Sequence, residues 1–185
     1  MNLNQNPYQM KQFTLLATAL FFLVSCTQLA GPEEAKELDE VAKQNVEVVK
    51  KLLNAFENED IPTILELFPE GAVIHGPMHD WYDTVGNEFS EGIEKWLTNV
   101  DSLKYDVISI LPQSVEEGDL AGDWALLWCY ESWYVVESGK HVKIMWHSPM
   151  RIEDGKIVFM ASYWNQWDMY KQQGAELKWP EKEKE

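Results

Sequence analysis

Positive charge is scarce in this chain: 15 lysines and arginines stand against 31 aspartates and glutamates, a formal net charge of −16. A surface of that sign repels phosphate backbones and anionic headgroups, which argues against a nucleic-acid partner. Cysteine is scarcer still, with Cys26 and Cys129 alone, so no intramolecular disulfide framework is expected. Long apolar runs are missing: Phe13–Val24 is too short to span a bilayer as a permanent helix. There is no internal repeat, no nucleophile elbow and no cofactor fingerprint. No cofactor or metal is expected on these grounds.

The short apolar run has a meaning of its own. Lys11 is the only charged residue before Glu33, and it precedes Phe13–Val24 as the basic region of a signal peptide precedes its apolar core. The run ends in Leu23-Val24-Ser25-Cys26, which resembles a bacterial lipobox. Residues 1–25 are therefore expected to be a lipoprotein signal peptide, with translation starting at Met10 and Cys26 receiving the lipid. An acylated cysteine holds a chain at a membrane surface without spanning it. Thr27 follows, where an aspartate would suggest retention at an inner membrane, so the expected place is the outer membrane, on its periplasmic or surface face.

Residues 26–36 are expected to be a linker, 37–174 one folded domain and 175–185 a charged tail. Apolar residues at three- and four-residue spacing (Leu38, Val41, Val49, Leu52, Leu53, Phe56) predict an amphipathic helix up to Glu57. Asp60 can cap a second, short helix with Pro62 in its first turn. Ala72–His75 reads as a strand ended by Gly76-Pro77. Residues 78–88, with Tyr82, read as a loop over the surface or across a pocket mouth. Ser90 can begin a third helix, and strands follow from Leu103. The order is that of an α+β domain.

From Trp124 to Trp167 two turns, Glu137-Ser138-Gly139-Lys140 and Glu153-Asp154-Gly155-Lys156, predict a three-stranded meander with two-residue loops. In that register Tyr130 faces His147 and His147 faces Ser162, flanked by Trp128, Met145, Met160 and Trp164. The polar row suggests a small acid–base site, with His147 as general acid or base and Tyr130 and Ser162 as its partners. The wall around it, with Tyr82, suggests a pocket for a small hydrophobic or aromatic molecule. A core histidine satisfied by its neighbours explains the same pattern. The opposite face, with Leu127, Trp133, Ile144, Trp146, Met150, Phe159 and Tyr163, is apolar as well, and burial in a homodimer is expected there. Glu131 falls on that face, beside Trp146, in place for an interface salt bridge.

Three stretches carry a family resemblance: Phe56–Ile61 running on to Leu67-Phe68, the strand Ala72–Pro77, and Met150-Arg-Ile-Glu-Asp-Gly-Lys-Ile-Val158. They resemble the SnoaL-like branch of the nuclear transport factor 2-like superfamily. The resemblance implies a cone-shaped, cystatin-like α+β fold, a curved antiparallel sheet wrapped on three helices. It implies nothing single about activity, since the fold hosts isomerases, cyclases, hydrolases, dehydratases and binders. The acidic base of isomerase-like members would stand at Gly76, and the His and Asp of cyclase-like members at Met160 and Ser162. Both acid–base signatures are missing. The expectation is therefore a ligand-binding domain, with a lyase, isomerase or hydrolase acting on a hydrophobic carbonyl compound through His147 as the alternative.

Overall fold

The computed structural model describes residues 32–80, 82–86 and 88–178, with side chains from Glu40 onward except that of Tyr82. The expected signal peptide, Cys26 and the last residues of the tail lie outside them. The described residues from Asp39 onward form one compact unit. The elements are α1 (Pro32–Glu57), α2 (Ile61–Leu67), β1 (Val73–His75), β2 (Tyr82–Thr84), α3 (Phe89–Leu97), β3 (Val100–Val115), β4 (Gly122–Val135), β5 (His141–Glu153), β6 (Lys156–Ala161) and α4 (Gln166–Gln172). Among the described residues, no helix is long and apolar enough to cross a membrane.

Local chemistry sets the helix ends. α1 starts at Pro32, inside the stretch expected to be linker, because proline fits a helix's first turn. Asp60 caps α2: its Oδ1 accepts from Thr63 N at 3.2 Å and its Oδ2 from Thr63 Oγ1 at 2.7 Å. α3 begins at Phe89, one residue before the expected Ser90. α4 was not foreseen. Asn165 caps it, and the Gln172 side chain bonds both Lys143 N and Lys143 O on β5, at 2.8 and 2.9 Å. β6 ends before it reaches that part of β5, so the glutamine amide takes the place of a neighbouring strand.

The six strands lie in the order β2-β1-β6-β5-β4-β3. β1 runs parallel to β6, and every other pair is antiparallel. The sheet is therefore mixed, and among the described residues four helices accompany it rather than three. The stretch expected to be all loop supplies β2, which extends the sheet beside β1.

Two departures from the expected meander decide the site. The first hairpin has four loop residues, not two: Val135 N donates to Lys140 O at 2.9 Å, and Gly139 N donates to Val135 O at 2.7 Å. A two-residue type I′ turn would force Ser138 to positive φ, whereas this loop asks that only of Gly139 (φ +64°). Tyr130 consequently pairs with Met145, and His147 with Trp128. The second hairpin is the expected type I′ turn, with Asp154 and Gly155 at φ +50° and +72°. Beyond it, however, a β-bulge between Arg151 and Ile152 shifts the register by one residue. His147 then bridges to Tyr163, and Ser162 moves to the other face.

The faces are also reversed in role. Leu127, Cys129, Trp133, Val142, Ile144, Trp146 and Met150 are buried together with Val49, Leu52 and Phe56 of α1 and Ile64 and Leu67 of α2. Trp133 and Trp146 are 7% and 6% exposed within one chain, so they are not the surface of a dimer. Phe159 and Tyr163, expected beside them, pair with the outer-face residues Arg151 and His147. That outer face also carries Tyr130, Met145 and Leu111, which are exposed. Full burial of each large apolar side chain contributes roughly 1.5–3 kcal/mol, so the helices settle on the side with more of it.

Candidate functional site

Between the inner face of the sheet and the helices lies a cavity of about 850 Å³. Phe56 of α1, Phe89 and Trp96 of α3, Met169 and Tyr170 of α4, and Trp133, Ile144 and Trp146 of the sheet wall it. Asp80 and Asp83, from the β1–β2 region, also border it. The aromatic walls have internal order: Phe56 meets Trp96 edge to face at 5.6 Å between centroids, and Tyr105 lies tilted on Trp146 at 5.7 Å.

The polar core of this cavity is Glu131. It shares the inward parity of Leu127, Cys129 and Trp133 on β4 and sits directly opposite Tyr105 on β3. It is 9% exposed and accepts a hydrogen bond from the Tyr105 hydroxyl at 3.2 Å. Burial disfavours the charged carboxylate and lifts its pKa to about 7, against a smaller downward pull from the Tyr105 bond. The same burial, with Glu131 beside it, holds the Tyr105 phenol well above its usual range. Cys129 is pushed up to about 12, again mainly by burial, which leaves it an inert thiol.

Tyr105 is held in place from α1. A register shift between Asp101 and Lys104 interrupts the β3–β4 ladder, and Ser102 there has φ +56°. Glu57, the last residue of α1, accepts the Tyr105 backbone N–H at 2.7 Å and pairs with Lys104 Nζ at 3.3 Å. The helix end thus fixes the strand just where the phenol turns inward.

The indole N–H of Trp146, a residue of the cavity wall, is buried and has no hydrogen-bond partner within the protein. An unmet buried donor of this kind costs about 1–3 kcal/mol.

The expected triad is not assembled. Tyr130 lies on the outer face under Lys143 Nζ, 4.8 Å from its ring centroid. His147 is on that face too, stacked between Trp128 (4.3 Å) and Tyr163 (5.9 Å), with Nδ1 2.8 Å from Leu127 O. Ser162 is buried on the inner side, where its backbone N donates to His75 O. Of the expected pocket residues, Met160, Trp164 and Ser162 do border the cavity, whereas Trp128 and Met145 face outward. Tyr82 lies on β2 opposite His75, and its side chain is outside the described residues. Glu131 meets Tyr105 rather than a basic partner at an interface. Its signal was visible in the sequence as a carboxylate on an otherwise apolar strand parity. Among the described residues, no three His, Cys, Asp or Glu side chains gather as metal ligands, and His75 stacks on Phe159 at 5.4 Å.

Comparison with known proteins places this architecture. An LEH-like epoxide hydrolase of M. tuberculosis superposes with a TM-score of 0.56 at 18% identity, over 70% of this chain and 89% of its own. SalBIII, an epoxide hydrolase/cyclase-like enzyme with a role in pyran ring formation in the polyether salinomycin, gives 0.57 at 18%, over 71% and 96%. A protein of ketosteroid isomerase-like fold from Catenulispora acidiphila, solved in complex with trimethylamine, gives 0.57 at 11%, over 72% and 97%. At these identities the likeness is one of fold. No curated protein matches the chain in sequence. The SnoaL-like domain profile matches residues 49–160, more than half of the chain, from the last third of α1 to the penultimate residue of β6. The chain belongs to the SnoaL-like family of the nuclear transport factor 2-like superfamily.

Proposed function

We propose that this domain binds a small hydrophobic or aromatic molecule in the inner cavity, with Glu131 as its polar anchor. The observation that carries the reading is a carboxyl nine-tenths buried in an aromatic-walled space large enough for a drug-sized ligand. Titration of the full chain with a panel of hydrophobic compounds, followed by tryptophan fluorescence, tests it, because Trp96, Trp133 and Trp146 all border the cavity. Saturable quenching that Trp133→Phe reduces supports the reading. A panel that leaves both fluorescence and thermal stability unchanged sinks it.

A second reading, acid–base catalysis on a hydrophobic carbonyl compound, is favoured by the ionisation of Glu131. A carboxyl that titrates near neutrality can both take and return a proton. In this reading Glu131 takes the role first expected of His147.

We also propose export and anchoring through Cys26, on the strength of the Lys11–Cys26 pattern alone. An unmodified Cys26 in the mass spectrum of the mature protein would overturn that. Self-association passes to the outer sheet face, where Leu111 (51%), Met145 (53%) and Tyr163 (55%) are exposed. Met145→Glu is expected to reduce any dimer seen in sedimentation, and a purely monomeric wild type removes this part of the proposal.

A further inference from the structure

The charge of the cavity's border is one-sided. Three carboxyl groups, Asp80, Asp83 and Glu131, border the space, and among the described residues no lysine or arginine does. An anionic ligand would meet three acidic groups against a single basic side chain on the border, His75, so the border disfavours free carboxylates and phosphates. The remaining surface is dominated by aromatic rings, from Trp96, Trp133, Trp146, Tyr105 and Phe56 among others. Ring faces carry negative quadrupole density and attract ammonium groups, most strongly where water is excluded.

We infer that the cavity takes an amphipathic organic cation, a hydrophobic ammonium ion. This rests on the ligand-binding reading above and names the class of ligand. The ammonium group sits against Glu131 within the aromatic walls, and the apolar remainder lies along Phe56, Phe89 and Ile144. Register puts an aromatic wall beside the carboxyl: Glu131 pairs with Ile144 and Cys129 with Trp146, so Trp146 and Glu131 are diagonal neighbours on one face. The buried carboxyl, costly as a lone anion, becomes half of an ion pair when the cation arrives.

The experiment compares two probes of one shape on the full chain: phenoxyethyl trimethylammonium, and the neutral ether in which a tert-butyl group replaces the trimethylammonium. Both are titrated at about pH 8, where a carboxyl of pKa about 7 is ionised. The expected result is that the ammonium probe binds at least about tenfold more tightly than its neutral isostere. Glu131→Gln is expected to erase that preference while leaving the neutral probe bound. Equal or tighter binding of the neutral ether by the wild type overturns the cation assignment and leaves the ligand-binding reading standing. Binding of neither probe overturns the cation assignment too. If a broad hydrophobic panel is then also silent on the folded protein, the ligand-binding reading falls with it.

Discussion

Tyr105 and Glu131 stand directly opposite each other on β3 and β4, and the phenol donates to the carboxyl at 3.2 Å inside an otherwise apolar face. Two acidic groups share one proton-rich contact there, and burial keeps both protonated further up the pH scale than in water.

Stability should therefore depend on pH through Glu131. The folded-state pKa is raised from 4.5 to about 7, so the neutral acid fits the fold. The contribution is fully present below about pH 4.5 and is lost as pH rises through about 7. Cys129 and Tyr105, the other titratable groups against it, stay neutral over that range. A shift of this size corresponds to about 3 kcal/mol. Urea unfolding at several pH values should show the wild type losing stability across this window relative to Glu131→Gln, which cannot ionise. Parallel curves for the two proteins would contradict the assignment.

Tyr105→Phe removes the bond that pulls the Glu131 pKa down, so the carboxyl should titrate still higher. The variant should also lose about 1 kcal/mol of stability, the usual net worth of one hydrogen bond. Carbon NMR of the labelled glutamate side chain reads the midpoint directly. A midpoint that stays put or falls would show that the phenol does not act on Glu131.

His147→Ala tests which face of the sheet holds the ligand. With His147 stacked outside between Trp128 and Tyr163, its loss should leave cavity ligands bound within about twofold, since it touches none of the cavity wall. A tenfold loss of affinity would restore the polar row as a site.

Gly155→Ala probes the tight turn. Nothing lies within 4 Å of where its Cβ would be, so backbone conformation at φ +72° is the only opposing effect. Left-handed strain predicts a loss of about 1 kcal/mol in thermal or urea unfolding. A neutral result would mean the turn relaxes without cost.

Helices α1 and α2 were legible because their apolar periodicity is local and strong. Val49, Leu52 and Phe56 recur on one face, and Asp60 and Pro62 mark the next start. The Asp154-Gly155 turn was legible because its two residues tolerate positive φ where few others do. The first hairpin was not, since Ser138-Gly139 fits both a two-residue loop and the tail of a four-residue one. α4 was missed because seven residues at the end of the expected meander carry little apolar periodicity, and its anchor, Gln172 bonding the open edge of β5, is a tertiary contact.

What the sequence determined by itself was the alternation along β4 and β5: Leu127, Glu131, Trp133, Trp146 and Met150 on one side, Trp128, Tyr130, Met145 and His147 on the other. Side chains alternate strictly along a strand, so that partition needs no partner. Which side meets the helices was decided only in three dimensions, because both sides are rich in aromatics and the choice rests on total packing. The fate of Ser162 was tertiary as well. One extra residue at the Arg151/Ile152 bulge turns everything after it to the opposite face, and the polar row Tyr130–His147–Ser162 comes apart there.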